Sequence, residues 1–529
     1  MRLSLLVIAV LAGPLASLAT AGPGKVTSLQ VPKGTRIRAA AMRDMNADGR
    51  PDLVVATNTW AHPVRRHLRI HLRRDGDVCF DAKPDFVREL VPGVVAFAVG
   101  DVENEPGHEV VFFTARGVYA WRPGGDEKTV ERRLLSGDFL WQLPDESDTT
   151  YFWSGVRDVD GDGLDDLMFP EPGGYRIALQ RRDGKSPPSF AALTAPRIPP
   201  LFGEFEAASQ GGAQLKARRR ARQLEVSIKL GGDAKPLDES ELSVVDAVPV
   251  PRFTDWDGDG RKDLVALSGE ALLVWSQRKQ GGFERFPAIV QEFPVEMDQG
   301  RRFDLSFGAH SADLNGDRRM DCVILAGDRR SEDIRTQILV YLNGFGKGKS
   351  AEQPLFGAKG QPQQVLIVGG IVGAVELSDV DGDGSPDLVL GTVQIDTLDA
   401  IRAASSGKVE ASLRVYLNRR GAFSRQPDLV YDIEIASEDI EEAGRRLQAR
   451  FIPDMSGDGV RELYVRDGPK SFRIHLVRKT SKGLAVFPRA LDEHKVGKRA
   501  EIEIVERGKG PPEIVIREGA QIHHVRYVR

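Results

Sequence analysis

The chain has 529 residues, of which 41% are hydrophobic and 28% are charged, and its formal net charge is −4 at pH 7. This apolar content is enough for a folded core and argues against global disorder. The charge balance gives no reason to expect a nucleic-acid partner. With only Cys79 and Cys322, the fold cannot rest on a framework of disulfides.

The first predicted element is a secretory signal peptide over residues 1–21. Arg2 precedes an apolar stretch that runs from Leu3 to about Ala16, and the small residues Ala19–Ala21 offer a cleavage site. No later run approaches the roughly 18 apolar residues that a membrane span needs. We therefore expect an exported protein, periplasmic or extracellular, with no transmembrane segment.

From Asp44 onward, one acidic phrase recurs eight times along the chain. Asp101 follows Asp44 by 57 residues, and Asp158 follows Asp101 by 57 residues. Asp255 follows Asp158 by 97 residues, which indicates an insertion at about 190–245. The remaining copies begin at Asp313, Asp379, Asp454 and Val505. Self-similarity at such a period is typical of repeat architectures.

Each repeat contains four short runs that read as β-strands. The phrase ends in an apolar run such as DLVLGT, and an alternating run such as SLRVYLNR follows it. Four strands per repeat predict one blade of an all-β propeller. We predict eight four-stranded blades in one domain over residues 22–529, with seven blades as the alternative. The last repeat lacks a strand, and the segment KVTSLQVP is predicted to supply it and to close the ring.

The acidic phrases place oxygen-bearing side chains at their first, third, fifth and ninth positions, usually with Gly at the sixth. An all-oxygen set suits Ca²⁺ better than Zn²⁺, which prefers His and Cys. An EF-hand is excluded, because it needs Glu at the twelfth position, where this chain has Val55, Phe169, Ala266, Leu390 or Val465. Asp-rich turns also form without a metal, but seven acidic copies in register favour metal binding.

The pattern DxDxDGxxD followed by an apolar strand resembles the FG-GAP and VCBS-type repeats of integrin-alpha-like propellers. FGAHSADLNGD keeps the Phe-Gly ahead of the loop, and the resemblance covers nearly the whole mature chain. It implies one Ca²⁺ per intact loop, held in the hairpin between the first two strands of a blade. The ligands implied for four loops are Asp44, Asn46, Asp48 and Asp52; Asp158, Asp160, Asp162 and Asp166; Asp255, Asp257, Asp259 and Asp263; and Asp379, Asp381, Asp383 and Asp387.

Two further loops raise the expected number of Ca²⁺ sites to as many as six. Their ligands would be Asp313, Asn315, Asp317 and Asp321, and Asp454, Ser456, Asp458 and Glu462. Arg318 occupies the glycine position of the first of these loops, so its turn is expected to be strained. The loop with Asp101, Glu103, Glu105 and Glu109 has Pro106 at the bend and is expected not to bind. The loop ending in Glu513 has no earlier acid and is expected to be empty.

No pair of side chains in the sequence predicts a catalytic mechanism. His523 and His524 point to opposite faces of a strand and cannot form one simple site, and the basic cluster at 216–222 is interpreted as a solvated insertion. We expect a secreted, monomeric, non-enzymatic scaffold that binds a protein or a glycan. The alternative is a lyase or hydrolase of extracellular polysaccharides, which should show a central funnel lined by convergent polar side chains outside the acidic loops.

Overall fold

The computed structural model describes a chain of β-strands. The described residues are 25–60, 63–75, 79–124, 131–137, 151–171, 174–183, 187–194, 196, 206–208, 214–216, 251–268, 271–279, 281–292, 308–328, 335–344, 361–393, 408–436, 449–466, 471–481, 483–497, 500–505, 511–518 and 520–527. They contain 35 strands and no helix. Residues 1–21, which are predicted to be a signal peptide, and most of the insertion, including nearly all of the basic cluster, lie outside these residues.

The first four blades are consecutive antiparallel sheets. Blade one contains β2 (Thr35–Arg43), β3 (Asp52–Thr59), β4 (Arg66–His71) and β5 (Phe86–Glu89); blade two contains β6 (Val94–Gly100), β7 (Glu109–Thr114), β8 (Gly117–Trp121) and β9 (Arg132–Ser136), with β10 (Tyr151–Phe152) added in parallel to β6; blade three contains β11 (Val156–Arg157), β12 (Asp166–Glu171), β13 (Gly174–Arg181) and β14 (Ser189–Thr194); blade four contains β17 (Arg252–Thr254), β18 (Asp263–Ser268), β19 (Ala271–Trp275) and β20 (Ile289–Glu292). Within the insertion, β15 (Glu206–Ala208) and β16 (Gln214–Lys216) form a separate hairpin.

The last four blades repeat the same arrangement. Blade five contains β21 (Gly308–Ala312), β22 (Asp321–Asp328), β23 (Arg335–Tyr341) and β24 (Gln364–Gly369); blade six contains β25 (Ile371–Ser378), β26 (Asp387–Val393), β27 (Lys408–Tyr416) and β28 (Leu429–Ala436); blade seven contains β29 (Ala449–Ile452), β30 (Glu462–Val465), β31 (Ser471–Thr480) and β32 (Gly483–Lys495); blade eight contains β33 (Glu501–Val505), β34 (Glu513–Glu518), β35 (Gln521–Arg526) and β1 (Lys25–Gln30). Eight blades confirm the predicted propeller, and the seven-blade alternative is wrong.

The first strand of each blade lies on the inner side of the propeller. Every residue of β6 is buried, whereas the last strands of blades one and five, β5 and β24, expose alternate residues to solvent. Among the described residues, each pair of neighbouring blades shares a hydrophobic cluster. Burial between blades is therefore the main source of packing energy, as expected for a radial repeat.

The N-terminal strand completes the sheet of the last blade. β1 pairs antiparallel with β35, from Lys25 opposite Arg526 to Gln30 opposite Gln521. Leu29 also joins the cluster that blade eight shares with blade one. That the ring depends on this strand to stay shut remains a prediction. None of the described residues forms a helix of the length and hydrophobicity needed to cross a bilayer.

Candidate metal-binding loops

Each acidic phrase forms the hairpin that joins the first and second strands of its blade. All blades run in the same direction around the ring, so these hairpins lie on the same end of the propeller. The ninth position of every phrase is the first residue of the second strand: Asp52, Glu109, Asp166, Asp263, Asp321, Asp387, Glu462 and Glu513. The hairpin location agrees with the one that the family resemblance implies.

The ninth-position acids are buried and organise the loop backbone. In blade six, Asp387 accepts hydrogen bonds from the backbone N–H groups of Val380 (2.9 Å) and Asn418 (2.8 Å). Blades one, three, four and five repeat the same pair of bonds. This acid therefore joins the loop to the end of the third strand, a role that the sequence did not reveal.

Burial raises the pKa of these carboxyl groups, although the backbone N–H bonds oppose the shift. The pKa rises to about 7 for Asp166, Asp387 and Glu462, and to about 6 for Asp263 and Asp321. Nearby loop carboxylates add to the shift in each case. A cation in the loop would favour the ionised form and reverse this trend.

The first, third and fifth acids fold the hairpin through side-chain to backbone hydrogen bonds. In blade four, Asp255 accepts from the N–H groups of Gly258 (2.7 Å) and Gly260 (2.9 Å), and Asp257 accepts from that of Asp259 (3.1 Å). Each carboxylate offers about four lone-pair sites. These bonds therefore leave oxygen lone pairs that a metal could use.

In three loops, the structure brings three carboxylates together. One oxygen of each lies within 4.8 Å of the others in Asp158, Asp160 and Asp166; in Asp255, Asp257 and Asp259; and in Asp379, Asp381 and Asp387. In three other loops Asn46, Asn315 or Ser456 stands at the third position instead of an acid. A set of oxygen donors alone fits a hard cation such as Ca²⁺.

The hairpin needs a left-handed backbone at its fourth and sixth positions, and only the sixth was predicted from the sequence. At the sixth position Gly260 has φ 87°. Arg318 has φ 68° at the same position of its loop, which agrees with the strain expected for a residue other than Gly there. At the fourth position Gly382 has φ 72° and Ala47 has φ 61°. The recurring Gly-x-Gly of these loops was the signal for the second position.

Residues 255–324 match the FG-GAP-like repeat family. This segment spans the acidic loop of blade four and extends into the second strand of blade five. The protein is a β-propeller that carries FG-GAP-like repeats. Its eight blades are consistent with an integrin-alpha-like FG-GAP propeller. A search of curated proteins found no match.

The chain is also similar to solved structures at low identity. A lectin from Agrocybe aegerita, studied for specific recognition of non-reducing terminal N-acetylglucosamine, is 14% identical, with 90% of this chain and 91% of that chain covered and a TM-score of 0.39. Two structures of BBS1N in complex with ARL6DN, soaked with mercury or lead, are 10% and 8% identical; they cover 83% and 95% of this chain and 95% and 98% of theirs, with TM-scores of 0.32 and 0.31. At such identities a shared fold does not imply a shared function.

Basic side chains contact several of the acidic loops. Lys262 lies 3.2 Å from Asp158, and Lys479 lies 3.1 Å from Asp381. Both lysine side chains are exposed, so these ion pairs are weak. A divalent ion could displace them at little cost.

The acidic loop of blade two differs, because an arginine pairs with each of its acids. Arg182 lies 2.6 Å from Asp101, and Arg132 pairs with Glu103. Arg122 lies 3.3 Å from Glu105 and 3.7 Å from Glu109. Guanidinium groups thus occupy the positions around the carboxylates where a cation would bind, which supports the prediction that this loop holds no metal.

In blades three to six, a polar residue at or just after the end of the third strand binds the acidic loop of the preceding blade. The side-chain amide of Asn343 donates to the backbone carbonyl of Trp256 in the preceding loop, and that of Asn418 donates to Leu314, both at 2.8 Å. Gln180 and Gln277 make the same kind of bond to Asp101 and Asp160. The sequence signal for these bonds is the polar residue that ends ALQ, WSQ and YLN in the respective blades.

Proposed function

We propose that this protein is a secreted, Ca²⁺-binding propeller that acts as a non-enzymatic scaffold for binding a protein or a glycan. The observation that carries the proposal is the convergence of three carboxylates in each of three equivalent hairpins. Turn formation alone does not require an acid at the same places in repeat after repeat. The assignment of sites follows the FG-GAP resemblance: four loops, and up to six with those at Asp313 and Asp454.

Metal binding would give the fold a source of stability that disulfides do not. Cys79 and Cys322 are free and lie in blades one and five. A ligand that binds only the folded state stabilises it by about 2.7 kcal/mol at a hundredfold excess over its Kd. Extracellular modules of this class bind Ca²⁺ with a Kd of roughly 0.1–1 mM. Several such sites would therefore be occupied, and would stabilise the ring, outside the cytosol.

Thermal unfolding in Ca²⁺, in Mg²⁺ and in chelator tests the proposal. We expect Ca²⁺ to raise Tm more than Mg²⁺, because Mg²⁺ demands a stricter octahedral geometry. The substitution Asp257→Asn should reduce the Ca²⁺-dependent part of Tm. The matched control is Asp432→Asn on the outer strand β28, which should leave it unchanged. An equal response to Ca²⁺ in both variants would contradict metal binding in the blade-four loop.

A second candidate function is the polysaccharide-active enzyme. The observation that favours it is a set of ionisable residues at the same height on the first strands of five blades: Arg252, His310, Glu376, Arg450 and Glu503. A scaffold should bind glycans or proteins without changing them. A screen of acidic and neutral polysaccharides for new reducing ends or unsaturated products decides between the two. Cleavage that is lost in Arg252→Gln would favour the enzyme.

A further inference from the structure

Cys79 lies at the contact between blades one and eight, on the connection from β4 to β5. Its backbone N–H donates to Oγ1 of Thr27 on β1 (3.4 Å), and Thr27 is paired with His524 on β35. The next residue, Phe80, contacts the ring of His524 edge-on, with 5.1 Å between the two centroids. These contacts place the thiol beside the imidazole of His524, and both residues are only 1% exposed.

Two arginine side chains donate hydrogen bonds to the sulfur atom of Cys79. Nη2 of Arg73, from blade one, and Nη1 of Arg526, from blade eight, each lie 3.9 Å from Sγ. Arg526 is two residues after His524, so both side chains extend from the same face of β35. A neutral thiol is a weak acceptor, whereas a thiolate accepts charge-assisted hydrogen bonds from guanidinium groups. The donors around the sulfur therefore favour its ionised form.

The carboxylate of Glu513 determines which nitrogen of His524 can exchange a proton with the thiol. It lies 2.9 Å from Nε2 of His524. An ionised carboxylate only accepts hydrogen bonds, so Nε2 carries a hydrogen and Nδ1 is left to exchange a proton. Nδ1 is buried and has no hydrogen-bond partner within the described part of the chain. Cys79, His524 and Glu513 thus have the arrangement of a nucleophile, its base and the group that orients the base.

The pKa values of the two groups shift in the directions that this arrangement implies. Burial alone would raise the pKa of the Cys79 thiol, but His524 and the two guanidinium groups lower it. Burial alone would lower the pKa of His524, but Cys79 and Glu513 raise it. Both shifts favour transfer of the proton from the sulfur to the imidazole. The thiolate is the form of cysteine that reacts with oxidants.

Cys322 provides a comparison within the same chain, because it is also 1% exposed. It lies on β22 of blade five and packs in an apolar cluster with Trp256, Ile324 and Tyr341. Among the described residues, no side chain donates a hydrogen bond to its sulfur. The two cysteines are therefore equally buried but have different surroundings, which are cationic for Cys79 and apolar for Cys322.

We propose that Cys79 is a redox-reactive site, in which Arg73 and Arg526 stabilise a thiolate, His524 holds its proton, and small hydroperoxides oxidise the sulfur. The thiolate attacks one oxygen of hydrogen peroxide, so that an S–O bond forms as the O–O bond breaks. The sulfur loses two electrons to the peroxide and becomes a sulfenic acid. The proton on Nδ1 of His524 passes to the departing hydroxide, which leaves as water. This site is separate from the acidic hairpins and does not depend on whether they bind Ca²⁺.

The first experiment treats the full, folded, Ca²⁺-equilibrated chain briefly with hydrogen peroxide and dimedone, which traps sulfenic acids. Mass spectrometry then reads the two cysteines separately in the same sample. We expect Cys79 to be trapped about tenfold or more faster than Cys322, because only Cys79 has the surroundings of a thiolate. Equal rates at the two cysteines, or trapping of Cys79 only in denaturant, would overturn the proposal.

The pH dependence of trapping distinguishes a stabilised thiolate from a thiol that is merely reached by the reagent. An ordinary thiol has a pKa of about 8.5. The rate at Cys79 should reach its plateau below that pH, because His524 and the guanidinium groups lower the pKa of the thiol. A rate that continues to rise up to pH 10, as for free cysteine, would contradict the proposal.

The variant Arg526→Met separates the effect of charge from that of access. Arg526 is half-buried, and methionine removes its guanidinium while keeping an unbranched side chain. Loss of the charge should slow trapping at Cys79 by about tenfold, whereas a limit set by access would make the smaller side chain faster. The matched control Arg489→Met alters an exposed arginine on β32 and should react like the wild type. Unchanged or faster trapping in folded Arg526→Met would overturn the proposal.

Discussion

Arg73 and Glu513 are 440 residues apart in the sequence, yet their side chains form a two-bonded ion pair at 2.6 and 2.9 Å. The two side chains are 2% and 1% exposed. Arg73 lies two residues after the third strand of blade one, at the position where blades three to six have the amide that binds the preceding loop. The buried ion pair therefore joins blade one to blade eight, and His524 completes it through a 2.9 Å contact with Glu513.

Glu513→Gln should lower the free energy of unfolding by about 3–5 kcal/mol, because it leaves the Arg73 charge buried without its counter-ion. Chemical denaturation in chelator measures this loss apart from any metal effect. Asp75→Asn is the matched control, because Asp75 pairs with Arg50 but is 94% exposed. Its effect should stay within about 0.5 kcal/mol. Equal losses of unfolding free energy in the two variants would show that the buried Arg73–Glu513 pair stabilises the fold no more than an exposed ion pair does.

The contact between blades one and eight should also lose stability in acid. Burial alone would raise the pKa of Glu513, but hydrogen bonds from His524 and Arg73 lower it to about 2. Its folded pKa lies below the unfolded value, so the stability it contributes is complete above about pH 4.5 and is lost as the pH falls towards 2. The difference in unfolding free energy between wild type and Glu513→Gln should therefore shrink by about 1–2 kcal/mol from pH 5 to pH 3. A constant difference would contradict the shift.

Gly382→Ala should be more harmful than Gly384→Ala, although both glycines lie in the blade-six loop and both have positive φ. A Cβ on Gly382 would lie 1.9 Å from the carbonyl oxygen of Gly459 in the next loop, whereas one on Gly384 would meet nothing within 4 Å. We expect Gly384→Ala to cost about 1 kcal/mol from backbone strain alone. Gly382→Ala should cost about 1–3 kcal/mol more, because the two loops must separate. Denaturation of both variants in saturating Ca²⁺ measures the difference.

Removal of residues 25–31 should destabilise the propeller and promote aggregation. The deletion uncovers Ile522 and Val515 of the shared cluster and leaves β35 as an unpaired edge, which can pair with another chain. The control is Val26→Thr, which changes an exposed side chain of the same strand. Light scattering and thermal unfolding check the result. A truncated protein that stays monomeric with an unchanged Tm would show that β1 does not hold the ring shut.

The sequence predicted the architecture because the architecture is repetitive. Eight copies of one phrase determine the number of blades, and the apolar run after each phrase locates the second strand. The interactions between blades were not predicted, because they join residues such as Asn418 and Leu314 that the repeat pattern treats separately. The buried Arg73–Glu513 pair was not predicted for the same reason, and the sequence indicated only that the loop ending in Glu513 would be empty.

The repeat pattern predicted the arrangement of the candidate metal ligands only in part. Oxygen at four positions predicted which residues share a hairpin, and the structure brings carboxylates together at 158, 160 and 166, for example. The acid at the ninth position also joins the loop to the end of the third strand. This role depends on its burial beneath the loop, which the spacing does not reveal. The arginines that pair with the acids of the blade-two loop lie far from it in the sequence, so the local pattern does not predict these ion pairs.

The central claim is that the recurrent acids hold calcium, and elemental analysis of the purified protein tests it most directly. After equilibration in Ca²⁺ and removal of free ions, four to six calcium ions per chain are predicted, all of them released by chelator with a fall in Tm. Protein that retains no calcium and melts at the same temperature with and without chelator would contradict the claim.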